Sequence, residues 1–198
     1  MLKELRYELL RGLAYREIRH QHMGKYTVWL PLLITLGVLA FYLVLPVKPV
    51  FLGANGAIAS ALTLVSTLPG FYFAGLAAVA TFGSQEMDRE MPDPAPKIKI
   101  LTRGQLVESK LTKRQFLSYL FSYLVLISFV LCVALMALDA CEGTIHFISA
   151  IVVKWVYGWW ILEVAKVVVL FVFSMGFGSL LISTLQGVFF LTEKVHQP

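Results

Sequence analysis

Uncharged apolar stretches alternate with short polar segments along the whole chain. Thr27–Val47, Ala57–Phe82 and Phe116–Leu138 each run for more than twenty residues without a Lys, Arg, Asp or Glu. About 20 apolar residues suffice to cross a bilayer core as a helix, so these three read as transmembrane spans. Pro46 closes the first, and the link through Pro49, Gly53, Asn55 and Gly56 is turn-like, so spans one and two are expected to form a hairpin. Thr112 followed three residues later by Gln115 is a capping-box pattern, and it predicts the start of the third helix.

The last apolar segment needs dividing. Thr144–Phe189 is 46 residues, which as one helix measures about 69 Å against a hydrocarbon core near 30 Å. Lys154, Glu163, Lys166 and four aromatic residues, Trp155, Tyr157, Trp159 and Trp160, all lie in its first half. We read 144–160 as an interfacial helix on the outer face and 161–190 as the fourth span. The competing reading makes the first half a fifth span and moves the C-terminus to the other side.

Two segments are polar. Residues 1–26 place Leu2, Leu5, Leu9 and Leu13 at helical spacing with basic residues offset from them, which predicts an amphipathic helix along the membrane surface. Their charge runs throughout, unlike the short basic region and apolar core of a cleaved signal. Residues 83–115 form a long loop. Pro92, Pro94 and Pro96 favour an extended chain, and "KIKI" at 97–100 alternates charge with β-branched residues as an edge strand does. A docking element and a solvated connector both fit this loop.

Charge sets the orientation. Six Lys or Arg lie in the N-terminal segment and seven in the 86–115 loop, against Lys48 alone in the first link and none in 139–143. Basic loops stay on the cytoplasmic side, so the N-terminus, the long loop and, with four spans, the C-terminal tail are expected there. The fold class is thus an all-α integral membrane protein of one domain, 1–198. It comprises an N-terminal amphipathic helix, spans 27–47, 57–82, 116–138 and 161–190, and a cytoplasmic loop between spans two and three. A hydrophobic share of 58% against 15% charged agrees, and the net charge of +5 then reports topology and lipid contact, with no direct nucleic-acid binding expected.

Candidate chemistry is sparse. If both lie on one helix, Cys132 and Cys141 are about 13 Å apart, too far for a disulfide, and no partner residues suggest a metal site. No catalytic motif and no cofactor are expected, because the first three spans carry no ionisable side chain in their interiors. Glu163 and Lys166, three residues apart, are a possible ion pair. Gly70, Ala74 and Ala78 line one edge of span two, and Ser179, Ser183 and Gly187 one edge of span four. Small residues at this spacing let helix backbones approach, within one subunit or between copies in a homo-oligomer. Lys97, Lys99, Arg103, Lys110, Lys113 and Arg114 are the candidate partner-binding residues, suited to anionic lipid or a cytosolic protein.

The order of basic N-terminal helix, paired spans, basic loop and "LTKRQFLSYLFSYL" entering span three resembles the KwaA-like membrane subunits of the two-gene Kiwa antiphage defence system. That resemblance covers most of the chain, and it implies an oligomeric sensor or scaffold of the bacterial inner membrane acting through a cytosolic partner. A pore-forming effector that depolarises the membrane when triggered is the alternative. A transporter subunit finds less support, since no inverted repeat or intramembrane ion ligand is visible.

Overall fold

The computed structural model describes residues 10–18, 25–81, 83, 85–91, 95–102 and 105–194. Among them four helices are long and apolar enough to cross a membrane, Thr27–Val44, Ala57–Thr81, Lys113–Ala140 and Gly158–Thr192. The protein is an all-α, four-span membrane protein carrying one small β-hairpin. We label the elements α1 (Leu30–Val44), α2 (Ala57–Thr81), β1 (Lys97–Thr102), β2 (Gln105–Lys110), α3 (Lys113–Ala140), α4 (Glu142–Val152) and α5 (Gly158–Phe189).

Local chemistry sets the helix ends. The Thr112 hydroxyl accepts from the Gln115 backbone N–H at 3.2 Å while the Gln115 side chain accepts from the Thr112 N–H, a complete capping box. Pro31 sits in the first turn of α1, where its missing N–H leaves nothing unpaired. α2 runs on through Pro69. Gly53 has φ +100°, a conformation that favours glycine, and shapes the turn before α2.

The helices do not pair in chain order. α2 lies along α3, α1 lies along α5, and α3 against α5 joins the two pairs. Spans one and two are therefore not the expected hairpin. The link 45–56 crosses one end of the bundle, where Phe51 and Leu52 pack on the core and Phe51 meets Tyr42 at 5.7 Å between ring centroids. Twelve residues reach up to about 40 Å when extended, so this link imposes no adjacency. α3 is the hub, and its buried side chains, from Phe116 through Leu135, face both neighbours.

The division of the last apolar segment falls earlier than expected. α4 ends at Val152, residues 153–157 make a turn, and Trp159 and Trp160 already belong to α5. Gly158 explains the position, because a Cβ there would run into the Val152 carbonyl oxygen. α4 measures about 16 Å, too short to be a fifth span.

The described part of the N-terminal segment also differs from a surface-lying helix. Leu10–Glu17 is a short 3-10 helix set into the bundle against α3, with Ala14, Tyr15 and Ile18 buried. Most of the rest of 1–26 lies outside the described residues.

Candidate functional site

The described residues of the 83–115 loop form a cap. β1 and β2 pair antiparallel with Lys97 opposite Lys110, Ile98 opposite Ser109 and Lys99 opposite Glu108. A second rung is added below, where the Met91 N–H donates to the Leu111 carbonyl and the Leu111 N–H to that of Pro96, each at 3.1 Å. The "KIKI" backbone, read from sequence as an edge for a partner strand, is thus paired on one side by its own chain. Pro96 lies in this rung, whereas Pro92 and Pro94 lie outside the described residues.

Strand alternation sorts the hairpin into two faces. Ile98 is only 1% exposed and β1 rests on the N-terminal 3-10 helix. Positions 97, 99, 108 and 110 share the opposite face, where Lys97, Glu108 and Lys110 are exposed. The candidate residues therefore separate. Lys97, Lys99 and Lys110 fall on one face, Lys113 opens α3, and Arg103 lies outside the described residues.

Arg114 is a correction to the docking set. Its Nε donates to Asp88 Oδ1 at 2.7 Å and its Nη2 to Oδ2 at 3.2 Å, while Nη1 reaches the carbonyls of Val79 and Ala80 at 3.1 and 3.3 Å. Those carbonyls belong to the last turn of α2, where a cation is favoured. Arg114 fastens the cap and α3 to the end of α2.

Beneath the cap, tyrosines reach polar side chains on α5. The Tyr15 hydroxyl donates to Gln186 Oε1 at 2.6 Å, Tyr123 shares a 2.6 Å hydrogen bond with Ser179, and Tyr72 one of 2.8 Å with Thr184. Thr184 itself donates to the Leu180 carbonyl, so Tyr72 is the donor to Thr184. Tyr15 stacks beside Tyr123 and Phe116, and Phe116 beside Phe190. Burial first, then the neighbouring Tyr123, pushes the pKa of Tyr15 above its ordinary value, while a hydrogen bond with Ser183 opposes the rise.

The two small-residue edges have different fates. Ser179, Ser183 and Gly187 are buried, and a Cβ at Gly187 would sit 3.0 Å from Leu120 of α3. Gly70, Ala74 and Ala78 all face away from the protomer, and nothing lies within 4 Å of a Cβ built on Gly70. α2 instead meets α3 through Gly75, whose Cβ would fall 2.6 Å from the Phe121 ring. The edge was read one residue away from the contact.

At the other end of the bundle Glu163 collects partners. Lys166 Nζ lies 2.9 Å from its Oε1, Lys48 Nζ 4.0 Å from Oε2, and the Tyr42 hydroxyl donates to Oε2 at 3.5 Å. Lys48 also sits 4.2 Å over the Tyr42 ring. The cluster ties the first link to α5, with Glu163 at 22% side-chain exposure.

Sequence reasoning missed Tyr15, Tyr72, Asp88 and Gln186. Each acts through a neighbour distant in sequence. Among the described residues no group of three or more His, Cys, Asp or Glu is placed to hold a metal, and Cys132 and Cys141 are free thiols. Comparison with known proteins finds no matching family model, no matching curated protein and no matching solved structure.

Proposed function

We propose that the chain is an oligomeric sensor or scaffold subunit of the bacterial inner membrane, serving antiphage defence through a cytosolic partner docked on the hairpin. The observation that carries this reading is the strand register. It groups positions 97, 99 and 110, all lysine, on one face beside the single acid Glu108. An acidic partner surface gains steering from that basic face. Along the chain, the polar segments 1–26, 83–115 and 191–198 hold fourteen Lys or Arg against nine Asp or Glu, and the remainder of the chain three against three, so the net charge of +5 belongs to those three segments. The basic bias orients the hairpin end to the cytoplasm. The outward edge of Gly70, Ala74 and Ala78 supplies a close-approach face for a second copy.

The test replaces Lys97, Lys99 and Lys110 with glutamate in a tagged chain and recovers bound proteins from gentle detergent. Loss of a copurifying cytosolic protein, with insertion and oligomer size retained, is the expected result. The alternative, a pore-forming effector that depolarises the membrane, draws on the hydroxyl groups buried along α5. Robust conductance by the purified chain in planar bilayers, unchanged in the triple variant, would replace the scaffold with the pore.

A further inference from the structure

A short helix and a tight turn stand out at the end of the bundle opposite the hairpin. α4 contains no buried residue. Its polar positions, Glu142, His146 and Ser149, fall along one side, and Phe147, Ile148 and Ile151 are exposed along the other. The following turn then presents Trp155, Val156 and Tyr157, with Val156 92% exposed. Trp159 and Trp160 continue outward from the start of α5, edge to face at 4.8 Å.

This presentation is held in place. The N–H groups of Val153, Lys154, Trp155 and Gly158 donate to the carbonyls of Ser149, Ile151, Val152 and Trp155 at 3.0 to 3.1 Å. The turn thus holds large apolar side chains away from the protein instead of folding them onto it. In water such a surface is unfavourable, and a contiguous exposed apolar patch marks a binding face. Its surroundings say what covers it. The patch runs on into Ile161, Val164, Val168 and Val172, the exposed apolar side of α5, a helix long and apolar enough to cross a membrane. Three of the four tryptophans in the chain gather in six residues at the end of a span, the depth at which indole rings favour the headgroup boundary.

We infer that Glu142–Trp160 is a lipid-binding ledge, inserted sideways into the leaflet opposite the hairpin, with phospholipid as its occupant. The apolar side of α4 and the Trp155–Trp160 turn lie among the upper acyl chains, while Glu142, His146 and Lys154 remain with the headgroups. Because the ledge is the direct chain connection between α3 and α5, its hold on the leaflet sets the depth of both central helices. The assignment is independent of any partner at the hairpin.

The experiment uses the full chain with Trp29→Phe, so that Trp155, Trp159 and Trp160 are the only indoles. It is reconstituted in phosphatidylcholine vesicles whose acyl chains carry bromine either near the glycerol or near the chain end. Shallow bromine is expected to quench the emission and deep bromine to quench it distinctly less. Val156→Asp, at a position with almost no protein contact, is expected to leave the melting temperature in detergent unchanged while weakening the shallow quenching. Red-shifted emission that neither lipid quenches would place the ledge in water. Blue-shifted, unquenched emission would mean that a second copy of the chain covers it. Stronger quenching by deep bromine would make it part of a span. Each of these three results overturns the lipid assignment.

Discussion

Replacing Gly178 with leucine is the most direct test of the helix pairing. A Cβ at this position falls 3.2 Å from both the Cα and the carbonyl oxygen of Pro31, and 3.5 Å from its Cβ. These are mainly backbone atoms of α1, which cannot swing aside as the end of a side chain does. Alanine adds only that Cβ. Its gain in helix propensity, about 1 kcal/mol, is set against a shift of α1 by a few tenths of an ångström, and the expected outcome is near neutral. Leucine drives three further carbons into the same contact and has to lever α1 from α5. Overpacking of this kind costs about 1–3 kcal/mol, and partial loss of the α1 interface puts this site at the upper end. At roughly 2–4 °C per kcal/mol for a chain of this size, the melting temperature in mild detergent should fall by about 6–12 °C. Ala74→Leu is the matched control, because Ala74 is exposed on α2. A change of less than about 0.5 kcal/mol is expected there, with any effect confined to oligomer size. If Gly178→Leu melts like the unaltered protein while Ala74→Leu is strongly destabilised, α1 packs on α2 and the pairing described above is wrong.

Arg114→Ala removes two bonds to Asp88 and two to the end of α2, and should lower stability by about 1–2 kcal/mol, read as a lower melting temperature and faster proteolysis in the 83–111 cap. Gly12→Cys with Leu126→Cys, in a background lacking Cys132 and Cys141, should form a disulfide on mild oxidation, since a Cβ at position 12 lies 3.4 Å from that of Leu126; a mobility shift on non-reducing gels reports it, and its absence would undock the N-terminal segment. Tyr15 ionises in the unfolded chain near its ordinary value of 10.0 but stays neutral in the fold, so its contribution is complete below that pH and is lost as pH rises towards the raised native value. Melting curves from about pH 9 to 11 should therefore fall more steeply for the unaltered protein than for Tyr15→Phe.

The Thr112–Gln115 capping box and the membrane class were legible in the chain because they rest on local rules. A helix in lipid satisfies its own backbone, so length and apolarity suffice to announce it. The pairing of helices follows no such rule. Every span is apolar on nearly all sides, because lipid accepts the outward faces as readily as protein accepts the inward ones, and periodicity cannot say which side packs. Contact is decided instead by where small residues meet complementary shapes. Gly178 against Pro31 and Gly75 against Phe121 are legible only once the helices are side by side.

The polar groups divide in the same way. The Glu163–Lys166 pair was visible because its members lie three residues apart on one helix. Tyr15 with Gln186, Arg114 with Asp88, and Lys48 with Glu163 join residues 171, 26 and 115 positions apart, distances across which a sequence pattern carries no geometry. By itself the sequence determined that the chain is an apolar helical membrane protein, where its charge lies along the chain and where the third helix begins; that the last apolar segment holds one span and not two came from the structure. Only the tertiary structure decided that spans one and two stand apart, that Lys97–Lys110 closes into a hairpin resting on the Leu10–Glu17 helix, and that Arg114 fastens α2 to the cap. The physical reason is common to both halves: hydrophobicity and backbone capping act within a segment, whereas packing and side-chain hydrogen bonds exist only between segments already brought together.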